Sequence, residues 1–311
     1  MTADPVPTIF LGSGAFAVPI LGSLASHPLI DLVGVVTAPP RPAGRRQSLV
    51  RTPVHDAAEK LGVSSLTPER LRDPAAIDEV LGLGADLLVL ADYGRLVPPA
   101  LLEPRFGALN VHPSLLPRHR GASPIPATIL AGDTETGVTL MRMDEGLDTG
   151  PIFVQAPIAL RGDETTPELE AKLAEEAAGL LYSHLSPWLR KDQPTVPQPA
   201  EGATLTRPLR REDGRLDPTL PAVELERQVR AYQPWPGTFV EMPAGRLLIW
   251  AATPERSADA PHRGTFDEVG LGVGDGERLA LVEVQPSAGR RMPWAHFVRG
   301  RPSIVGSSIE A

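Results

Sequence analysis

The chain has 311 residues, 42% of them hydrophobic, and a formal net charge of −8. This length is enough for two ordinary domains, and the negative charge argues against a protein that coats nucleic acid over its whole surface, because such binding needs a broad positive field. The absence of cysteine excludes disulfides, thiolate zinc sites and cysteine nucleophiles. The sequence shows neither a signal-peptide pattern nor an uninterrupted apolar run of about 18 residues. We therefore expect a cytoplasmic protein with no membrane segment.

The first part of the chain alternates short apolar strands with helices. In chain order, the sequence predicts strands at residues 7–12, 31–38, 85–91, 107–111, 137–143 and 151–160, and helices at 15–27, 52–62 and 165–189. Such alternation is typical of an α/β domain with a doubly wound parallel sheet. Ligands of such sheets bind beyond the carboxyl ends of the strands. We therefore expect the functional site at that edge.

The composition of the sequence changes near residue 190. Residues 191–207 are rich in proline and lack apolar periodicity, which predicts a stiff linker after a domain spanning residues 1–190. Residues 208–311 then predict one helix and several short strands separated by glycine and proline. The helix is expected at 219–232 and the strands at 237–242, 246–252, 264–270, 271–274 and 279–286. This pattern indicates a small β-barrel.

A glycine-rich turn, GSGAFA, follows the first predicted strand. Gly12, Gly14 and Ala17 match the dinucleotide-binding fingerprint. That fingerprint also requires an acidic residue at the end of the second strand, where VVTAPPRPAG contains none, and Asp31 lies at the wrong end of that strand. We therefore predict a tight strand-to-helix turn that binds no dinucleotide.

The stretch NVHPSLLPRHRGASP begins at the carboxyl end of the strand predicted at 107–111. Asn110 and His112 lie two residues apart, so an extended backbone directs both side chains to the same face. This pair suits attack on a carbonyl group, because the amide stabilises the oxygen as it gains charge while the imidazole moves a proton. The alternative is that both residues only satisfy the backbone of a turn.

The loop DEGLDTG supplies candidate partners for the histidine. A histidine that acts as a base usually has a carboxylate that orients it and stabilises its charged form. Asp144, Glu145 and Asp148 all lie in this glycine-flanked loop. Spacing alone does not distinguish between them, and all three are also compatible with a solvated loop.

The sequence gives little support to a serine hydrolase or to a zinc hydrolase. Ser114 lacks the G-x-S-x-G turn that presents a serine nucleophile. The histidines include no pair at i and i+4 with an adjacent glutamate, so we expect no catalytic zinc and no other metal.

The segment APPRPAGRRQSLVRTP is basic and contains no acidic residue. Its arginines are Arg41, Arg45, Arg46 and Arg51. A stiff basic segment at the same sheet edge as Asn110 is suited to gripping the phosphates of a large substrate, and the alternative is a solvated rim.

Five stretches together resemble the methionyl-tRNA formyltransferases over nearly the whole chain. They are NVHPSLLPRHRGASPI, GVTLMRMDEGLDTGPI, TAPPRPAGRR, ADYGRLVP and AYQPWPGTF. HPSLLP with a downstream aspartate is shared by the wider family of 10-formyltetrahydrofolate-dependent formyltransferases, whereas RPAGR, DEGLDTG and PWPG are typical of the tRNA enzymes. The resemblance implies a Rossmann-like domain followed by an OB-like β-barrel that binds tRNA.

The resemblance also implies an activity and its residues. The expected reaction transfers a formyl group from 10-formyltetrahydrofolate to the amino group of methionine on initiator tRNA, and we expect a monomer. The implied catalytic residues are Asn110, His112 and Asp148. The implied folate-binding residues are Tyr93, Ser114, Leu115, Leu116, Pro117, Arg118 and Gly121, and the implied tRNA-binding residues are Arg41, Arg45 and Arg46. The alternatives are a formyltransferase for a nucleotide sugar or another small amine, a non-catalytic RNA-binding protein, and an NAD-dependent oxidoreductase.

Overall fold

The structure is a computed structural model that describes residues 4–43, 48–243 and 245–310. The strands are β1 (Val6–Gly12), β2 (Ile30–Val36), β3 (Arg41–Ala43), β4 (Ser48–Val50), β5 (Ser65–Leu66), β6 (Leu87–Ala91), β7 (Ala108–His112), β8 (Arg120–Gly121), β9 (Glu135–Arg142), β10 (Ile152–Ala159), β11 (Leu205–Thr206), β12 (Thr238–Val240), β13 (Leu247–Arg256), β14 (Gly270–Val273), β15 (Glu277–Pro286) and β16 (Met292–Pro293). The helices are α1 (Ala17–Ala25), α2 (Pro53–Leu61), α3 (Pro74–Leu81), α4 (Pro124–Ala131), α5 (Thr166–Arg190), α6 (Ala222–Ala231) and α7 (Trp294–Gly300).

The chain divides into two compact units. The first comprises Met1–Pro124, Glu135–Ala159 and Glu170–Thr206, and the second comprises Ile125–Thr134, Leu160–Leu169 and Arg207–Ala311. Two segments that the sequence assigned to the domain at 1–190 therefore group with the second unit. The domain bounds drawn from the sequence remain a prediction.

The first unit is built on a mixed sheet with the strand order β10-β9-β7-β6-β1-β2-β5. The strands β5, β2, β1, β6 and β7 are parallel, whereas β9 and β10 run antiparallel to their neighbours. The loop 143–151 is too short for the crossover that parallel strands need, so β9 and β10 must form a hairpin. The α/β class with a Rossmann-like sheet is confirmed, and β9, which runs against the other strands, is the departure from an all-parallel arrangement.

Capping residues at both ends explain why the helix predicted at 52–62 agrees with α2. The Thr52 side chain accepts a hydrogen bond from the His55 backbone N–H at 3.0 Å, which caps the start of α2. Gly62 ends the helix with a φ of 72°, a conformation that glycine adopts without steric cost. The sequence reasoning did not predict α3 or α4, each of which has only eight residues.

The segment 191–207, which the sequence predicts as a linker, packs along the first unit. Thr206 belongs to β11, which pairs with β8, and the Val196 backbone exchanges hydrogen bonds with Ile152. The Gln198 side chain also donates to two backbone carbonyls of the first unit. Residues 191–206 therefore group with the first unit, and their assignment as a linker remains a prediction.

The second unit contains an antiparallel sheet with the order β12-β13-β15-β14, and β16 pairs with β15. The sheet curls into a half-barrel, in agreement with the expected OB-like β-barrel. Its core includes Leu225 and Val229 from α6 and Trp294 and Phe297 from α7. The predicted strand at 264–270 is wrong, because most of this range forms turns joined by isolated bridges. Helix α7 was missed, since it has only seven residues.

No helix in the described part of the chain is both long enough and apolar enough to cross a membrane.

Candidate active site

Three chain segments meet at the carboxyl edge of the parallel strands. In the register of the sheet, Gly12 of β1 pairs with Ala91 of β6, and Leu90 of β6 pairs with Asn110 of β7. The turn after β1, the loop after β6 and the end of β7 therefore lie side by side. This is the edge at which sheets of this type bind ligands.

Asn110 and His112 occupy the end of β7. Their exposed fractions are only 4% and 5%. The Asn110 Nδ2 donates a hydrogen bond to Asp148 Oδ1 at 3.1 Å, and His112 Nδ1 lies 3.8 Å from Asp148 Oδ2. The structure thus brings together the asparagine, the histidine and one of the three candidate acids.

The hydrogen bond at Nε2 defines the tautomer of His112. Nε2 lies 3.0 Å from the backbone oxygen of His119. Because a carbonyl oxygen only accepts hydrogen bonds, Nε2 must carry the hydrogen. Nδ1 is therefore the nitrogen that takes up a proton, and it faces the Asp148 carboxylate.

The three acidic residues of the loop between β9 and β10 differ in their exposure and in their contacts. Asp144 is exposed and accepts hydrogen bonds from the Gly146 N–H at 3.0 Å and the Thr149 hydroxyl at 2.8 Å, so its carboxylate closes the loop. Glu145 is also exposed. Only Asp148, with a φ of 52°, directs its carboxylate toward the end of β7. A Cβ on Gly150 would overlap the Arg142 carbonyl oxygen, so the return of the chain to β10 requires glycine there.

Two further groups hold Asp148 in place. The Gly121 N–H donates to Asp148 Oδ2 at 2.8 Å, while Gln198 Nε2 donates to the backbone oxygens of Asp148 and Gly150 at 2.8 and 2.7 Å. Sequence reasoning missed Gln198, because a glutamine in a proline-rich segment carries no recognisable pattern. Its role is set by the packing of that segment on the first unit.

The loop after β7 is fixed by internal hydrogen bonds. Ser114 is fully buried, and its hydroxyl donates to the Arg118 carbonyl at 2.6 Å, so it is not presented as a nucleophile. The Thr139 hydroxyl donates to the Ser114 carbonyl and accepts from the Leu116 N–H. Ser114 and Leu116 are thus turned inward, whereas Leu115 and Pro117 are half-buried and Arg118 is exposed.

Tyr93 follows β6 at the same edge. Tyr93 is 2% exposed, and its hydroxyl has no hydrogen-bond partner among the described residues. Burial raises the pKa of Tyr93, and the positive charge of Arg95 partly opposes this effect. A buried hydroxyl without a partner is unusual in native structures and is the kind of group that a ligand satisfies.

The structure describes one of the three predicted tRNA-binding arginines, Arg41. Arg41 is exposed on β3, which pairs antiparallel with β4. Arg45 and Arg46 lie outside the described residues.

The glycine-rich turn after β1 already holds acidic groups of the protein itself. The backbone N–H of Phe16 donates to Glu170 Oε1 at 3.1 Å, and a Cβ on Gly14 would overlap the Asp92 carboxylate. These carboxylates lie where the pyrophosphate of a dinucleotide would meet the start of α1. Strand β2 ends at Val36, and the next residue is the buried Thr37, so no acid is available for a ribose.

We accordingly expect no measurable NAD or NADP binding at this turn. Calorimetric titration of the protein with each dinucleotide should give no heat of binding, because the side chains of Asp92 and Glu170 already occupy the turn that would hold the pyrophosphate. Micromolar affinity that disappears in Gly14→Ala would contradict this prediction.

No group of three or more histidine or acidic side chains that could hold a metal ion occurs within residues 4–43, 48–243 and 245–310.

The fold and the polar edge of its sheet define an α/β enzyme with a curled β domain. The chain belongs to the formyl transferase family. The Formyl transferase model matches residues 7–185, and the model of the Formyl transferase C-terminal domain matches residues 208–302.

Relatives named methionyl-tRNA formyltransferase match nearly the whole chain. The Roseiflexus sp. (strain RS-1) protein is 44% identical over 302 residues, which cover 95% of this chain and 93% of the relative. The Gluconacetobacter diazotrophicus protein is 45% identical over 308 residues, which cover 96% and 98%.

Solved structures share the fold at lower identity. The N-formyltransferase from Helicobacter canadensis, in complex with folinic acid and dTDP-3-aminofucose, has a TM-score of 0.64 at 18% identity and covers 89% of this chain and 99% of its own. HypX from Aquifex aeolicus in complex with tetrahydrofolic acid has a TM-score of 0.61 at 16% identity, covering 94% of this chain and 47% of its own. At these identities the likeness shows the fold alone.

Proposed function

We propose that this chain transfers a formyl group from 10-formyltetrahydrofolate to the amino group of methionine on initiator tRNA. The observation that carries the proposal is the contact of Asn110 and His112 with Asp148 at the carboxyl edge of the sheet. Full-length relatives that are 44% and 45% identical and are named for this activity support the choice of substrates.

Asn110 is proposed to stabilise the formyl oxygen. Its amide nitrogen carries two hydrogens, and the bond to Asp148 uses one of them. The second hydrogen is left to donate to the oxygen of the formyl group, whose negative charge grows as the amine attacks the carbonyl carbon. Because Asn110 is held by β7 and by Asp148, the donor is oriented before the reaction begins.

His112 is proposed to take the proton that the attacking amine loses. Nδ1 is the basic nitrogen, since Nε2 is engaged with the His119 carbonyl. As the new C–N bond forms, the amine proton passes to the imidazole, and Asp148, 3.8 Å from Nδ1, stabilises the positive charge that His112 carries at this stage. When the bond between the formyl carbon and the folate nitrogen breaks, the imidazole gives this proton to the departing nitrogen, and tetrahydrofolate leaves.

The residues of the edge suit a folate. Tyr93 offers a buried hydroxyl that needs a partner, and Leu115, Pro117 and Arg118 combine partly exposed apolar surface with a cation. This combination matches an aromatic ring system that carries a carboxylate tail. Ser114, Leu116 and Gly121 are proposed to shape this pocket through their backbone, since their hydrogen bonds hold the loop in place.

The basic segment at Arg41, Arg45 and Arg46 is proposed to contact the tRNA. A protein with a net charge of −8 does not attract a polyanion with its whole surface, so its affinity must come from local positive charge. Residues 208–311, the proposed tRNA-binding domain, contain 13 arginines and 14 acidic residues and are thus nearly neutral.

Replacing Arg41, Arg45 and Arg46 together by alanine is expected to raise KM for the tRNA and to flatten its salt dependence. Each lost phosphate contact should reduce the log–log slope of binding against salt by about one unit, because fewer counterions are released. Filter binding between low and physiological salt measures this slope.

A matched control removes the same charge at the opposite edge of the sheet. Arg105 precedes β7, Arg190 is the last residue of α5 and Lys191 follows it. The Trp188 side chain of α5 donates to the Phe106 carbonyl, which places these residues at that edge. The triple alanine variant of Arg105, Arg190 and Lys191 should keep the wild-type slope. Equal slopes in both triple variants would contradict the proposed contact. They would indicate that the tRNA instead contacts exposed arginines of the second unit, namely Arg290, Arg291, Arg299 and Arg301.

The proposed function is tested by an acceptor panel. With 10-formyltetrahydrofolate present, release of tetrahydrofolate should require methionyl-initiator tRNA and should not occur with uncharged tRNA, free methionine or a nucleotide amino sugar. Turnover with the amino sugar alone would favour the runner-up, a sugar formyltransferase. We further propose a cytoplasmic monomer, and sedimentation equilibrium of the pure protein checks its mass.

A further inference from the structure

Asp92 is an acidic residue of the sheet edge that the proposed chemistry does not use. It directly follows β6 with a φ of 47°, and its backbone oxygen accepts hydrogen bonds from the N–H groups of Ser13 at 2.9 Å and Gly14 at 3.4 Å. Its carboxyl group lies so close to Gly14 that a Cβ at that position would displace it. Asp92 therefore packs with both its backbone and its side chain on the turn after β1.

A second carboxyl group reaches the same turn from α5. Glu170 Oε1 accepts a hydrogen bond from the Phe16 N–H at 3.1 Å. Two carboxyl groups thus contact the short turn from Gly12 to Phe16: that of Asp92 at Gly14 and that of Glu170 at Phe16. Glu170 is distant from this turn in the sequence and reaches it from α5.

Hydrogen bonds extend from this turn to the next strand. The Ser13 hydroxyl lies 3.4 Å from the Tyr93 carbonyl oxygen, to which it donates, and it accepts from the Ala38 N–H at 3.2 Å. Ser13 therefore ties the loop after β6 to the end of β2. The position of Tyr93, next to Asp92, depends on these contacts.

We propose that Asp92 is a positioning residue whose carboxyl group, packed on Gly14, holds the loop 92–94 in place beside Asn110 and His112. Asp92 lies two residues beyond Leu90, the partner of Asn110 in the sheet. A shift of this loop would move Tyr93 at the edge where we propose that the formyl donor binds. The effect on activity rests on the proposed function, whereas the effect on stability does not.

The surroundings of the Asp92 carboxyl group favour its neutral, protonated form. Asp92 is exposed as a residue, but the protein packed around its carboxyl group, and then the charge of Glu170, raise the pKa of Asp92 to about 7. Burial likewise raises the pKa of Glu170, against the effect of the Phe16 N–H. The nearest cation along the loop, Arg95, donates instead to the carbonyls of Pro68 and Glu69.

The direction of the pH effect follows from linkage. The folded protein holds the Asp92 proton more tightly than the unfolded chain, where the pKa is 3.8. The contribution of Asp92 to folding is therefore favourable below about pH 4, decreases as the pH rises to about 7, and is constant at a less favourable level above that. Asparagine has nearly the shape of the neutral acid and has no proton to lose.

The first test compares thermal unfolding of wild type and Asp92→Asn from pH 5 to pH 8. The variant should be at most as stable as wild type at pH 5 and should gain at least about 2 °C in Tm relative to wild type at pH 8. Asp78→Asn, at an exposed position on α3, is the matched control and should show the same difference from wild type at every pH. A pH-independent difference for Asp92→Asn would overturn the proposal whether or not the protein is a formyltransferase.

The second test measures kcat/KM for the formyl donor over the same pH range. In wild type it should fall severalfold as Asp92 ionises above about pH 7, and Asp92→Asn should retain its activity there. Asp92→Ala, which removes the packing on Gly14, should raise KM for the donor at every pH while Asp92→Asn does not. If the stability result holds but the two profiles coincide, Asp92 does not position the donor site and this part of the proposal is wrong.

Discussion

Alanine at Asn110 or at His112 is expected to lower kcat for formyl transfer by about a hundredfold or more, the usual contribution of an oxyanion donor or a general base. Asn110→Ala removes the N–H proposed to meet the formyl oxygen, and His112→Ala removes the proton acceptor. Steady-state kinetics at saturating donor and tRNA measure the effect.

Both side chains are buried, so folding must be checked alongside the rate. Circular dichroism and the Tm should show a folded protein in each variant. His296→Ala, at an exposed position of α7, is the control for loss of an imidazole and should retain wild-type kcat. A folded Asn110→Ala or His112→Ala protein with near-normal turnover would remove that residue from the mechanism.

Asp148→Asn is expected to lower kcat by at least about tenfold, because the charge that stabilises a protonated His112 is lost. An amide at this position also offers a donor toward Asn110 Nδ2, where the carboxylate now accepts. The variant keeps nearly the same shape, so its loss of rate reports charge and hydrogen-bond polarity. The rate should also depend differently on pH, since His112 no longer faces an anion.

Asp144→Asn is the matched control for this substitution. Asp144 belongs to the same loop, but its carboxylate binds only within that loop, to Gly146 and Thr149. Its replacement should leave kcat and the pH profile close to those of wild type. The opposite ranking of the two variants would assign the role of His112's partner to Asp144.

The sequence predicted the elements whose signals are local. Thr52 and Gly62 predicted the ends of α2, and the apolar runs predicted β1, β6 and β7. The spacing of Asn110 and His112 placed both on one strand face without knowledge of the rest of the chain. Short elements such as α7 were missed, because seven residues are too few for a helical period to be distinguished from a loop.

Features that depend on distant parts of the chain were not available from the sequence pattern. The residues alone left Asp144, Glu145 and Asp148 equivalent, because the choice depends on the backbone turn at Asp148 and on the support that Gln198 provides. The proline-rich segment that carries Gln198 was predicted as a linker, since its contacts with the first unit have no periodicity. The contact of Glu170 with the turn after β1 likewise arises only when α5 packs on the sheet.

The most direct test of the proposed function is the identity of the product. The protein is incubated with 10-formyltetrahydrofolate labelled in the formyl carbon and with methionyl-initiator tRNA, and the amino acid is then released by mild base. The label should appear in N-formylmethionine, in an amount that matches the tetrahydrofolate formed. Consumption of the donor with unlabelled methionine on the tRNA would contradict the account.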